Sequence, residues 1–260
     1  MKCLPVFIIL VFVMLVAHVV CADTNDMWFP VGEKLIYKLY WGVIPVGQAE
    51  FSSEWIEENG KQFISLKGRA RTGKVVSKIY PVDDFIESVV DAESFLPIRY
   101  IQKLKEGRHV RHDKITIDHK SGMACWESKL SQTNRVMKID GDSRDILSFV
   151  YYARSKGYES GQHEKFRVLV DDKIYDLEVT GLSHETRKVK GYGKIKCLKV
   201  VPEAKFGEIF VRKGRVQMWF SDDKRRVCVR ITAKLKVASL KAILVGVEGP
   251  GKDIWVKKDK

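Results

Sequence analysis

Alternating side chains between residues 216 and 246 restrict the fold of this chain more than any other pattern. The segment has the pattern of a strand, a charged turn, a long strand, a short break and another strand. In the long strand, apolar residues alternate with basic or polar ones: Val229, Ile231, Ala233, Leu235 and Val237 against Arg230, Thr232, Lys234 and Lys236. A period of two places the two sets on opposite faces of one sheet. The pattern therefore predicts a sheet with one apolar face and one basic face.

Turn-forming residues separate further extended segments along most of the chain. Asn59-Gly60 is a strong hairpin signal, and Glu106-Gly107 marks another turn. The predicted strands between such turns cover residues 34–41, 48–57, 62–71, 85–90, 98–104, 110–117, 122–127, 166–170, 174–180 and 194–202. Turns at intervals of roughly 8–12 residues are typical of an all-β sheet or barrel. We therefore predict an all-β, mainly antiparallel fold, an open or partly closed twisted β-barrel or half-barrel.

One segment, about residues 142–156, has the pattern of a short helix instead. Asp142 and Ser143 are suited to cap its N-terminus, and Gly157 follows its last apolar turn. Its apolar residues recur at i, i+3, i+4 and i+7, namely Ile146, Phe149, Val150 and Ala153. Because a helix of this kind must bury its apolar face, we expect it to pack on the concave side of the sheet.

Residues 1–22 have the pattern of a secretory signal peptide. Lys2 precedes an apolar run from Val6 to Val20, and Ala22 offers a cleavage point. The apolar run of about 15 residues is shorter than the roughly 20 that a membrane-spanning helix needs. The alternatives are an uncleaved anchor and an outer-membrane lipoprotein attached through Cys21. We predict that the chain is exported, to the periplasm or otherwise out of the cytoplasm, and forms a single soluble β domain over residues 23–260.

The chain is basic, with a formal net charge of +13 at pH 7. Its Lys and Arg residues recur at alternate strand positions and beside turns, and only the tail at 257–260 concentrates them. This distribution argues against nucleic acid as a partner. It fits a solvated surface, or one with affinity for anionic lipid headgroups or acidic glycans.

Three cysteines follow the predicted signal peptide: Cys125, Cys197 and Cys228. An odd number in an oxidising compartment is compatible with one disulfide and one free thiol, or with three buried free thiols. Cys197 and Cys228 both lie in strand-like segments and form the candidate disulfide. Because the chain has no Cys-x-x-Cys, the cysteines indicate neither a redox motif nor a zinc ribbon.

The residues show no catalytic or metal-binding pattern. His109 and His112 lie three apart on a predicted strand and point to opposite faces, and no His-Glu-x-x-His is present. The acidic pairs at 83–84, 171–172 and 222–223 are interpreted as divergent strand or turn residues. Ser148 lies in the predicted helix and in no Gly-x-Ser-x-Gly. We therefore predict no catalytic residues, no metal site, no cofactor and no enzymatic activity.

Three stretches taken together resemble a known protein family. They are residues 29–33 with Tyr37, Trp41-Gly42 and Gly47, then residues 145–154, and finally residues 216–223 with Ser239 and Leu244. In this order and spacing, from about residue 28 to 247, they resemble the exported bacterial family called domain of unknown function 3108. The chain departs from the family pattern at Val227-Cys228, where proline is common. The resemblance implies a periplasmic, mainly antiparallel β protein of Gram-negative bacteria, and it brings no established activity.

The sequence leaves three classes of function open. We favour non-enzymatic binding of an apolar or amphipathic ligand, such as a lipid, in a concave sheet, because ligand sites are concave and mostly apolar. The second class is a cell-envelope interaction or scaffold protein that contacts an anionic glycan or lipid. The third is a hydrolase or lyase acting on an envelope glycan. Ligand-binding residues and oligomeric state are not predicted.

Overall fold

The computed structural model describes residues 27–204, 216–234, 238–250 and 254–255. The predicted signal peptide, residues 235–237 and the basic tail lie outside these ranges. The described residues form a 3-10 turn at Val76–Lys78 and one α-helix, α1, at Ile146–Ala153. They also form fifteen strands: β1 (Lys34–Trp41), β2 (Ile44–Glu58), β3 (Lys61–Thr72), β4 (Asp83–Asp91), β5 (Pro97–Glu106), β6 (His109–Asp118), β7 (Met123–Ser128), β8 (Thr133–Lys138), β9 (Arg144–Asp145), β10 (His163–Val170), β11 (Lys173–Val189), β12 (Gly193–Ala204), β13 (Val216–Ser221), β14 (Cys228–Lys234) and β15 (Ser239–Glu248).

The fifteen described strands form one sheet in which sequence neighbours lie side by side. The two halves of the chain join in the middle, because β1 pairs antiparallel with both β2 and β15. The pairing is antiparallel throughout except between β9 and β10. Strands β8 and β9 lie at opposite ends of the sheet and do not pair, so the sheet is not closed into a barrel. The predicted all-β, mainly antiparallel, open half-barrel with one helix is therefore confirmed.

Side chains connect the two halves of the sheet near its ends. Arg111 on β6 donates hydrogen bonds to Asp171, in the turn between β10 and β11, at 2.8 Å and 3.3 Å. Gln102 on β5 donates to the same carboxylate at 3.1 Å. The sheet therefore curves until its halves touch, although their backbones do not pair.

The predicted strands agree with the observed strands over most of their length. Asn59 and Gly60 have positive φ values of 54° and 73° and form the turn between β2 and β3, as predicted. Strand β2 starts at Ile44, before the predicted start at residue 48, so the turn between β1 and β2 is shorter than the predicted strands imply. Strand β8 is missing from the prediction because its residues are mostly polar and exposed at the edge of the sheet.

Helix α1 is shorter than the predicted segment 142–156, and Asp145 is its N-cap instead of Asp142 or Ser143. The Asp145 carboxylate accepts hydrogen bonds from the backbone N–H groups of Leu147 and Ser148, both at 2.9 Å. Ser143 instead closes a turn with Asp140, since its backbone N–H donates to the Asp140 carbonyl at 3.1 Å. The helix cannot begin earlier because Arg144 and Asp145 pair with β10 as strand β9.

The helix packs inside the curve of the sheet and contacts both of its halves. On one side, Leu147 and Tyr151 join a first cluster of buried residues with Ile64 and Ile115 of the N-terminal strands. On the other side, Phe149 and Ala153 join a third cluster with residues of β10–β14. A second cluster joins β1, β2 and β15 to β12–β14. The helix therefore occupies the concave side, as predicted.

The apolar and basic faces predicted for β14 are only partly separated. Val229 belongs to the second cluster, whereas Ile231 packs against the third. The cause is a bulge: Trp219 pairs with Arg230 and Phe220 pairs with Cys228, so Val229 is an extra residue. Because a bulge shifts the period-two pattern by one position, the prediction of two continuous faces is wrong here.

Candidate functional site

The first two stretches of the family resemblance, and the charged turn after the third, meet in a buried ion cluster. Glu33 accepts hydrogen bonds from Arg154, at the end of α1, at 2.6 Å and 3.1 Å. It also accepts hydrogen bonds from Arg225, in the turn between β13 and β14, at 2.6 Å and 3.1 Å. The Glu33 and Arg154 side chains are 0% and 2% exposed. We call these three residues the Glu33 cluster.

The Glu33 cluster holds the end of α1 against the sheet, and its buried side chains are not accessible to ligands. Burial alone would raise the pKa of Glu33, but Arg154 and Arg225 hold that pKa below its ordinary value, so the carboxylate stays ionised. Trp28 reinforces the same connection, because its Nε1 donates to the Tyr151 carbonyl at 2.8 Å. Since the cluster is removed from solvent, no reactant reaches it, and its role is structural.

The predicted disulfide between Cys197 and Cys228 is not formed in the structure, where Cys125, Cys197 and Cys228 are free thiols. Strand β13 lies between the strands that carry Cys197 and Cys228. The backbones of two strands separated by a third lie about 9.5 Å apart, which is too far for an S–S bond between their cysteines. Burial raises the pKa of both thiols to about 12, so neither has the properties of a reactive thiolate.

The histidines and acidic pairs do not assemble into a site within the described ranges. No group of three His, Cys, Asp or Glu side chains there has the arrangement of a metal site. His109, His163 and His184 are exposed. Asp223 acts as a turn residue, since its carboxylate accepts hydrogen bonds from the backbone N–H groups of Arg225 and Arg226 at 2.8 Å and 3.2 Å.

Asp84 has the perturbed pKa that is common at catalytic sites. Its pKa is raised to about 6, chiefly by burial and also by neighbouring Glu106, against an opposing hydrogen bond from the Lys105 backbone N–H. Neither Asp84 nor Glu106 lines any of four of the best-formed grooves on the described residues. The pair therefore braces the β4–β5 pairing and gives no support to a hydrolase or lyase.

An open groove with basic walls lies on the outer face of the sheet. It has a volume of about 630 Å³, and its charged lining residues are Lys38, Glu50, Arg69, Arg71 and Lys74. Lys38 pairs with Gln48 across β1 and β2, and Gln48 pairs with Arg71 across β2 and β3. Alternate residues of the same strands, such as Tyr37 and Ala49, face the second cluster. Strand alternation therefore places the groove opposite the core. We call it the basic groove.

Ion pairs orient the arginines of the basic groove without neutralising it. Arg69 donates to Asp83 from Nε and Nη2, both at 3.1 Å, and Arg71 donates from Nε at 3.1 Å. Burial alone would raise the pKa of Asp83, but hydrogen bonds from Arg71 and Arg69 lower it below its ordinary value. Two guanidinium groups thus share one carboxylate, and each keeps N–H donors that no described residue accepts.

Two lysines add further positive charge to the basic groove. Within the described part of the chain, neither Lys38 nor Lys74 forms an ion pair. Glu50 is the acidic residue in the lining, and its Oε2 forms an ion pair with Lys34 Nζ at 3.3 Å. The groove can therefore attract an anion and offer several charge-assisted hydrogen bonds to it.

Gly47 shapes the floor of the basic groove. A Cβ atom at this position would lie 2.1 Å from the Arg71 carbonyl oxygen, so only glycine allows β2 to approach β3 this closely. The pairing of β1 with β2 also shifts register between Leu39 and Tyr40, opposite Gly47 and Pro45. This bulge and the bare glycine leave open space where side chains would otherwise stand.

The basic groove is not predicted from the sequence, although the alternation of residues on β3 indicates part of it. Lys67, Arg69 and Arg71 alternate with small or apolar residues on β3, which is the pattern of a basic outer face. The sequence does not reveal that Lys38 and Lys74 lie beside these residues.

On the concave side of the sheet, α1 and the first and third clusters occupy the described space. The binding of an apolar ligand on that side stays a prediction.

Comparisons with known proteins bear on the fold and the family. The chain is similar to a β-barrel-like protein of the DUF1849 family from Brucella abortus, with a TM-score of 0.59, 10% identity, and coverage of 86% of this chain and 100% of that chain. At this identity the likeness concerns the fold alone. A DUF1089 family protein from Pseudomonas aeruginosa has a TM-score of 0.36, with 13% identity and coverage of 69% of this chain and 87% of that chain. No protein with curated annotation matches the chain.

A family model matches most of the chain and includes the residues of the basic groove. The model is that of DUF3108, described as a protein of unknown function, and it matches residues 36–245. This range contains the helix stretch and the charged turn that complete the Glu33 cluster. The chain therefore belongs to the DUF3108 family, as its three sequence stretches predict.

Proposed function

We propose that this protein is an exported, non-enzymatic binding protein of the bacterial cell envelope, and that it holds an anionic amphipathic ligand in the basic groove. The observation that carries the proposal is the set of Lys38, Arg69, Arg71 and Lys74 around an open space of about 630 Å³. This volume lies within the range of roughly 300–1,000 Å³ that is typical of small-molecule sites.

The chemistry of the groove favours a ligand with a phosphate or carboxylate headgroup and an apolar tail. The guanidinium groups of Arg69 and Arg71 suit planar, charge-assisted contacts with such headgroups. Pro45, Val46 and Val245 supply apolar surface in the same groove. A lipid-like molecule therefore finds both kinds of contact in one place.

Reversing the charge of Lys38 and Lys74, the two groove lysines without an ion pair among the described residues, is expected to weaken ligand binding. The probe is dihexanoylphosphatidylglycerol in its monomeric form, and the measurement is isothermal titration calorimetry. Each charge-assisted contact contributes about 1.5–3 kcal/mol, so the Lys38→Glu and Lys74→Glu double variant should bind at least about tenfold more weakly. Added salt should weaken binding to the unaltered protein, because the groove is open to solvent.

The Lys173→Glu and Lys188→Glu double variant is the matched control, because both lysines are exposed on β11, away from the groove. It makes the same change of charge as the double groove variant and should leave affinity unchanged. The proposal fails if the unaltered protein does not bind the probe. It also fails if the double groove variant binds as tightly as the control.

A further inference from the structure

Five apolar side chains stand exposed at one end of the sheet, directly beside the basic groove. Val43 lies in the turn between β1 and β2, and its side chain is 87% exposed. Val75 and Ile79, in the loop between β3 and β4, are 78% and 86% exposed. Ile44 and Tyr80 are also more than half exposed. We call these five residues the apolar rim.

The apolar rim is held by hydrogen bonds between neighbouring segments. The Gly73 backbone N–H donates to the Val46 carbonyl at 2.9 Å, which ties the loop to the start of β2. Within the loop, the backbone N–H groups of Ile79 and Tyr80 both donate to the Val76 carbonyl at 2.9 Å. The rim therefore presents its side chains from a fixed framework.

Basic residues surround the apolar rim. Lys74 and Lys78 lie in the same loop as Val75 and Ile79, and both are exposed. Lys241 lies behind the β1–β2 turn, where its Nζ donates to the Gly42 carbonyl at 2.9 Å. Arg108 is exposed in the next turn, beside the Gly107 that the Tyr80 ring covers. Three acidic residues, Asp83, Asp84 and Glu106, lie at the same end of the sheet, and Asp83 is paired with Arg69 and Arg71. Exposed apolar side chains thus project from a predominantly positive belt.

We propose that the apolar rim docks on the surface of an anionic lipid membrane. Apolar side chains with Lys and Arg around them bind such surfaces by inserting apolar groups at the headgroup boundary and pairing cations with anionic lipids. Tyr80, and the half-exposed Trp41 at the end of β1, are residues that favour this boundary. Such docking would bring the basic groove to the membrane, although it does not require a ligand in that groove.

The charges around the rim favour a membrane over a protein partner. Lysine is depleted at the centre of protein–protein interfaces. A second copy of this chain docking through the same face would place like charges opposite each other, which is unfavourable. An anionic bilayer instead supplies complementary charge across the whole belt.

Vesicle flotation with purified protein tests this docking. The vesicles contain phosphatidylglycerol and phosphatidylcholine, and pure phosphatidylcholine vesicles are the reference. The protein should float with the anionic vesicles and bind the reference vesicles more weakly. Val43→Asp and Ile79→Asp should each reduce the bound fraction at least about tenfold at limiting lipid, because membrane affinity scales with the apolar area inserted.

Val136→Asp is the matched control, because Val136 is 64% exposed on β8, away from the rim. It should float like the unaltered protein, and equal thermal midpoints will show that the variants are folded. Docking is overturned if the unaltered protein does not float with anionic vesicles, or if the rim variants float as well as the control. Self-association that the rim variants abolish, without flotation, would also overturn it in favour of a second copy. Because the rim variants should still bind monomeric dihexanoylphosphatidylglycerol, failure of docking is distinct from failure of the basic groove.

Discussion

Glu33→Gln is expected to destabilise the folded protein by about 3–5 kcal/mol, because it leaves Arg154 and Arg225 buried without their carboxylate. The free energy of unfolding in urea, compared with that of the unaltered protein, measures this loss. The effect should be large because both arginines donate two hydrogen bonds to Glu33. A matched control is Glu54→Gln, whose ion pair with Lys67 lies at the surface and should contribute less than about 1 kcal/mol.

The pH dependence of the stability loss in Glu33→Gln distinguishes loss of the carboxylate charge from nonspecific disruption of the fold. The pKa of Glu33 lies below its ordinary value of 4.5 in the folded protein. Its contribution to stability is therefore present above pH 4.5 and is lost as the pH falls through the lower, folded-state pKa. The stability difference between the unaltered protein and Glu33→Gln should shrink in that acidic range. A difference that is small at neutral pH, or constant with pH, would contradict the assigned role of the Glu33 cluster.

Trp219→Ala is expected to cost about 3–5 kcal/mol, as is typical when a large aromatic side chain is removed from a core. Trp219 is 4% exposed and belongs to the second cluster. The Arg187 guanidinium lies 4.4 Å from its ring centroid, and its Nε1 donates to Glu185 at 3.0 Å. The substitution therefore removes apolar packing, a cation–π contact and a hydrogen bond together.

A second substitution at the same position separates the packing from the hydrogen bond. Trp219→Phe keeps most of the packing but loses the hydrogen bond, so it should cost about 1–2 kcal/mol. Trp55→Ala serves as the control, because Trp55 is 38% exposed on β2. If Trp219→Ala unfolded at the same urea concentration as Trp55→Ala, the burial of Trp219 in the second cluster would be wrong.

Much of the fold was predictable because its determinants are local. Period-two alternation and turn residues such as Asn59-Gly60 depend on neighbours in the sequence, and they locate most strands within a few residues. The edge strand β8 carries no apolar alternation, so it gave no signal. The bulge at Val229 arises from pairing with β13, and the alternation of β14 cannot reveal it.

The Glu33 cluster and the basic groove depend on contacts between residues that are distant in the sequence. Glu33 and Arg154 are 121 residues apart, and the sequence stretches that contain them indicate a family without showing that they touch. The basic groove combines Lys38, Arg69, Arg71 and Lys74 from separate elements. Its basic character on β3 was visible in the sequence, but its shape depends on Gly47 and the bulge between β1 and β2.

Amide chemical shifts of the 15N-labelled protein, titrated with dihexanoylphosphatidylglycerol, test the central claim most directly. The basic groove predicts that the largest changes fall on residues 46–50 and 69–74, on β2, β3 and the following loop. Binding on the concave side would instead perturb the residues of α1, from Ile146 to Ala153. Changes concentrated on α1, with residues 69–74 unaffected, would contradict the basic groove as the ligand site.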